Sequence, residues 1–277
     1  MTDPIRIYTP VLTAAFAAYA LSAALSAAFF LTQRRPAGTI SFWACCAGFA
    51  AHTVALAIRA FLLGYPPMSN LHESLSFFGW VIVMVYSFVE ARRRELVNGA
   101  FVLPLAAAVT GYSLGVDPAL RPLVPALRSP WLGIHASSFL LSYACFLMAF
   151  CFGIMYLWQE REVKSRNVDA FFFRLPPLEL VDRLGYKAVA AGFVCLTVGL
   201  VTGSLWAWSA WGSFWSWDPK ETASLILWFI YVVYLHGRLV SGWKGKKSAR
   251  VAVLGFAAVL FTYFGVSFLL PGLHSYF

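Results

Sequence analysis

A chain of 277 residues that is 60% hydrophobic and only 12% charged cannot be an ordinary globular domain, where roughly a quarter of positions carry charge. Too few polar groups are available to cover a soluble surface of that size. The formal charge of +9 does not mark a nucleic-acid binder, because the basic residues sit between apolar runs instead of forming a stripe.

The apolar runs predict an all-α polytopic integral membrane protein of eight transmembrane helices, over roughly 9–31, 40–63, 72–89, 97–115, 131–158, 186–206, 221–241 and 250–270. The longer runs can cross a hydrocarbon core of ~30 Å at ~1.5 Å per residue; the third and fourth are the shortest. The first lacks the basic n-region and cleavage pattern of a signal peptide and reads as a retained helix. With no soluble insertion and no internal repeat, 1–277 is taken as one transmembrane domain. Sixteen of the 21 basic residues lie in one alternate set of connections, among them Arg34, Arg35, Arg92, Arg161, Lys164, Arg183, Lys244 and Lys247. The positive-inside rule puts that set in the cytoplasm and both termini on the outer side. Within the inner connection 159–185, the stretch from Asp169 reads either as a short interfacial helix or as a linker broken by Pro176 and Pro177. Cys45, Cys46, Cys145, Cys151 and Cys195 form no C-x-x-C pair and read as small apolar packing residues.

Five of the eleven tryptophans, Trp206, Trp208, Trp211, Trp215 and Trp217, fall in the segment LWAWSAWGSFWSWDPKET, placed outside by the orientation argument. An interfacial aromatic belt would account for one or two of them. Five, with Phe214 and Gly212 among them, predict an external platform over 206–220 for a large flat apolar ligand. Asp218 can cap the next helix, Pro219 suits its first position, and Glu221 completes a capping box. That start would hold the aromatic loop rigidly.

Histidine is a strong neutral ligand for haem iron. His135 and His274 fall at the outer ends of the fifth and eighth spans, on the tryptophan side, which makes them a candidate axial pair. His236 lies fifteen residues past Glu221, about 22 Å along the helix, toward the cytoplasm. A polar group at that depth marks a functional site. His52, with Arg59 two turns further on, reads either as a ligand or as a hydrogen-bonding residue between helices. His72, beside Glu73, reads as an interface residue.

The string WGSFWSWDPKET, with His135 and His274 around it, resembles the haem-handling proteins of cytochrome c maturation, and its Asp-Pro-Lys-Glu continuation resembles the CcsA (ResC) family of the second maturation system. The resemblance extends over Pro67–Leu75, Trp131 with His135, Ser142 and Tyr143, Tyr234–Arg238, and Gly272–Tyr276. Departures from the family pattern are Trp208 and Ser209 in place of Asn and Glu, His72 for tyrosine, and Ala223 for tryptophan.

The resemblance implies a component of a cytochrome c haem lyase in the bacterial cytoplasmic membrane. Haem b would be carried to the tryptophan segment, facing the periplasm or cell exterior, and joined there to the C-x-x-C-H thiols of apocytochrome c, with a ResB/CcsB-type membrane partner. His135, His274 and Asp218 would act at the attachment site and His236 at an inner transit site, with His52 or a partner histidine opposite. Arg59 and Lys220 are candidates to neutralise propionates. The rival readings are a haem-sensing or structural membrane protein without ligase activity and a cytochrome b-type electron-transfer subunit.

Overall fold

The computed structural model describes residues 5–93, 95–120, 127–165 and 172–270, with 123 and 272. It is all-α. The main helices are α1 (Ile5–Thr32), α2 (Arg35–Leu63), α3 (Leu71–Arg93), α4 (Gly99–Leu114), α5 (Pro130–Ser165), α6 (Leu178–Trp211), α7 (Pro219–Leu239) and α8 (Lys246–Leu260). The α8 axis continues through a π-helical turn, Phe261–Gly265, into a last short helix, α9 (Val266–Leu269). Among the described residues, seven helices are long and apolar enough to cross a membrane, and α4, at 16 residues, is a shorter apolar helix. The protein is therefore a multi-pass membrane protein.

The helices gather into two compact units, 1–122 and 123–277. In the first, α1 and α2 run antiparallel, since Ser22 meets Ser41 while Tyr19 meets His52. Tyr19 lies flat on Gly48, and Phe16 on Gly111 of α4. In the second unit α5 is the central helix. Its apolar window is 72% buried, against 28% for α6 and α7. Small residues let membrane helices approach closely, and α6 carries a row of them. The Phe146 ring seats on Gly192, Phe139 on Gly199 and His135 on Gly203, a register that makes α5 and α6 antiparallel. The other face of Phe146 stacks on Tyr231 of α7, centroids 3.6 Å apart.

Several boundaries differ from expectation. The third span is 23 residues and not short. At 36 and 34 residues, α5 and α6 are each over 50 Å long by the ~1.5 Å rise, and exceed a bilayer core. Pro176 and Pro177 end the linker instead of breaking a helix, because a helix tolerates proline just before or at its start. The stretch read as an interfacial helix is thus a 3₁₀ turn, Phe172–Arg174, followed by the first turns of α6; 166–171 lies outside the described residues.

Candidate functional site

Four helix ends meet at one end of the second unit: the start of α5, the end of α6, the start of α7 and α9. The Ser129 and Ser209 hydroxyls lie 3.3 Å apart, the Lys220 ammonium donates to Ser267 Oγ at 2.9 Å, and Gly272 packs against the Asp218 carboxylate. Alternating helix direction brings these together, which is what the sequence reading required of the tryptophan end.

His135 is set into this end by α6. Its Nδ1 donates to the carbonyl of Gly199 at 2.9 Å. A carbonyl can only accept, so the neutral ring carries its lone pair on Nε2. Metal-binding histidines share this arrangement, one ring nitrogen donating to a carbonyl while the other ligates. The ring lies over Gly203 and 5.5 Å from that of Trp206. Trp206 is fully enclosed and touches Trp211, centroids 4.9 Å apart.

The tryptophans do not form one loop. Trp206, Trp208 and Trp211 sit on the last turns of α6, five residues beyond the expected end. That helix stops at Gly212, whose φ of 75° returns its N–H to the Trp208 carbonyl, a left-handed cap that glycine adopts without strain. Trp208 stacks on Phe214 at 4.7 Å. Trp215 and Trp217 meet edge to face at 5.9 Å. Trp217, 70% exposed, has φ 59°, a region that bulky side chains rarely enter. So Trp206 belongs to the packing beneath His135, while Trp208, Phe214 and Trp217 present rings outward.

The capping box expected at Asp218 is present. Asp218 Oδ1 accepts from Lys220 N at 2.9 Å, and Glu221 accepts from Asp218 N at 3.2 Å. Glu221 reaches further than a cap must: it also accepts from the N–H and hydroxyl of Ser216, and so ties the aromatic loop to α7. His274, the other half of the expected axial pair, lies outside the described residues; Gly272, two positions earlier, is against Asp218.

The remaining expected site residues are placed elsewhere. His236 is in the last turn of α7 and is exposed. His52 is buried in the first unit, with Nδ1 3.3 Å from Tyr19 Oη and Nε2 3.0 Å from Ser76 Oγ. Arg59 is also buried, paired with Glu73 at 2.9 Å and donating to the carbonyls of Pro118 and Ala119. Its donors are committed to closing that end of the unit. His72 is buried too, donating from Nδ1 to the Ser113 carbonyl and accepting at Nε2 from Tyr8, both at 2.8 Å. It was read as an interface residue because its burial depends on α1 and α4, distant in the sequence. Gly199 and Gly203 do not stand out in the sequence as parts of the site, and neither does the reach of Glu221 to Ser216. The seven-residue spacing of Gly185, Gly192 and Gly199 was the available signal for the first.

Residues 68–274 match the model of the family described as "Cytochrome C assembly protein". The chain belongs to the cytochrome c assembly protein family. It is 39% identical to the cytochrome c biogenesis protein CcsA of Pyropia yezoensis, over 81% of this chain and 82% of that one. The CcsA proteins of Gloeobacter violaceus and a Prochlorococcus marinus strain are 37% and 35% identical, the latter covering 97% of this chain and 95% of its own. The chain is thus a CcsA-type membrane protein of cytochrome c maturation. Its fold is also that of the structure named cytochrome c heme lyase CcmF, with TM-score 0.64 at 19% identity, over 95% of this chain and 47% of that one. At that identity the likeness concerns the fold alone.

Proposed function

We propose that this protein carries haem to the tryptophan-bearing end of its second unit and presents it there for covalent attachment to apocytochrome c. The observation that supports this most directly is His135, held with its lone pair on Nε2 by the Gly199 carbonyl, beside Trp206 and below the outward rings. Haem iron takes one or two axial ligands from the protein, and its porphyrin plane needs an apolar surface. Haem iron has its porphyrin nitrogens as equatorial ligands, and His135 would bind one face. His274 is the candidate for the other. The thiols of a C-x-x-C-H segment would approach from the open side, past Trp208, Phe214 and Trp217.

The finer reading is eight spans, with α4 the shortest, and the His135 end on the outer face of a bacterial cytoplasmic membrane. The arginine- and lysine-rich ends of α5 and α8 would then face the cytoplasm. His236, exposed near the inner end of α7, is suited to an inner haem site completed by a partner of ResB/CcsB type, which would cover that face. Asp218 acts through Glu221 and Lys220 by fixing the aromatic loop. In the assembled complex, His135→Gly and His274→Gly should each abolish covalent cytochrome formation at equal protein level, and added imidazole should restore part of it. Full yield from the double variant would refute the axial pair.

A further inference from the structure

The tryptophan site is in the second unit, yet most buried charge is in the first. Of the acidic, basic and histidine side chains buried among the described residues, His52, Arg59, His72, Glu73 and Glu90 belong to α2 and α3, and only Asp218 to the second unit. Nothing proposed above uses the five in α2 and α3. Polar groups at membrane depth are costly, and they mark pathways more often than packing.

They are also connected. At the α3 N-terminal end, Glu73 holds Arg59, and His72 is bonded to the Tyr8 hydroxyl. Ser76 lies beside that hydroxyl, and Ser76 Oγ is 3.0 Å from His52 Nε2. On the far side of the ring, Nδ1 meets Tyr19 Oη at 3.3 Å. Deeper along α1 and α2, the Cys45 thiol lies near Tyr19, Ser22 and Ser87. Ser22, Ser41 and Ser26 follow with hydroxyl spacings of 3.0 and 2.6 Å. The Ser26 and Tyr86 hydroxyls both crowd the space over Gly99, which an added Cβ would occupy 2.5 and 2.8 Å from them. Glu90, one helical turn past Tyr86, closes the file with Asn98 and the Leu96 N–H. From His72 to Glu90 is about 27 Å along α3, most of a ~30 Å hydrocarbon core.

His52 has an arrangement that His72 and His135 lack. Each of those donates to a backbone carbonyl, which fixes one tautomer. Both partners of His52 are hydroxyls, which donate or accept equally well. With Ser76 donating, Nδ1–H donates to Tyr19. With Tyr19 donating, Nε2–H donates to Ser76, whose own proton turns to Tyr8. Both tautomers are fully bonded, so the ring can receive a proton at one nitrogen and release one from the other.

We propose that the α1–α4 unit is a proton path between the two membrane faces, with His52 as its central relay. Each hop breaks one O–H, N–H or S–H bond and forms another. One proton enters for each that leaves, and hydroxyl rotation with tautomer exchange at His52 resets the file. The steps from Tyr19 through Cys45 to Ser22, from Ser26 to Tyr86 and from Tyr86 to Glu90 each need a hydroxyl swing or an intervening water.

The test uses the full chain in sealed vesicles, with proton entry read by an encapsulated pH dye under a potassium–valinomycin potential. Proton flux should exceed that of empty vesicles and fall to that level in His52→Leu and Ser76→Ala. Ser76→Thr, which keeps the hydroxyl, should retain it. So should Thr110→Ala, a buried hydroxyl that bonds only within α4. Wild-type flux equal to empty vesicles, or undiminished flux in both His52→Leu and Ser76→Ala, would overturn the proposal, as would equal loss in Thr110→Ala. Ring-nitrogen NMR of the unmodified chain needs no variant to fold. It should find His52 in exchange between both tautomers and His72 in one, and a single fixed tautomer at His52 would likewise count against the relay.

Discussion

A methyl group at Gly203 would lie 2.5 Å from His135 Nδ1 and 2.6 Å from Cε1, closer than atoms can sit. The imidazole would have to move, and its hydrogen bond to the Gly199 carbonyl with it. Gly203→Ala should therefore lower attached-haem yield while costing about 1–3 kcal/mol of stability, the usual range for overpacking. The comparison that isolates the effect is Gly192→Ala, which crowds Phe146 on the same helix row without touching His135. Equal haem loss in both would assign the effect to helix separation and not to the histidine. His135 is legible as a candidate ligand from its position alone. What orients it is not, since Gly199 and Gly203 lie 64 and 68 residues away and offer a carbonyl and a missing side chain.

Helix ends carry the second kind of information. The α7 start was readable in full from Asp218, Pro219 and Glu221, because a capping box is a local contract among neighbouring residues. Asp218→Ala should cost about 0.5–2 kcal/mol by loss of the cap. It should also loosen Ser216, since Glu221 joins the cap to that residue. Thermal denaturation with tryptophan emission would show both, as a lower midpoint and a red-shifted loop signal. A lower midpoint with unchanged emission would restrict Asp218 to capping. The α6 end was harder to read. Nothing in the sequence before Gly212 breaks the helix, and the apolar run by itself gives a span ending near 206. In fact the tryptophans continue the helix until glycine supplies the left-handed turn.

For the whole chain, the proposed orientation puts Ser213 outside and Ser165 inside, and both are exposed. Ser213→Cys should react with an impermeant thiol reagent in intact cells, and Ser165→Cys only after permeabilisation. The reverse pattern would invert the orientation, and the native cysteines, inside the helices, give the background. The sequence by itself determined that the chain is helical and membrane-embedded, where its apolar runs lie, and which family's motifs it carries. Those properties depend on hydropathy over some twenty residues and on contiguous strings, and both are local. The tertiary structure alone decided that Arg59 is committed to Glu73, that His72 is enclosed, and that His135 has its lone pair on Nε2. It also showed that polar residues scattered singly along α1, α2 and α3 face one another. Each of these depends on which helix faces which, and at what height, a relation that packing fixes and no stretch of sequence contains.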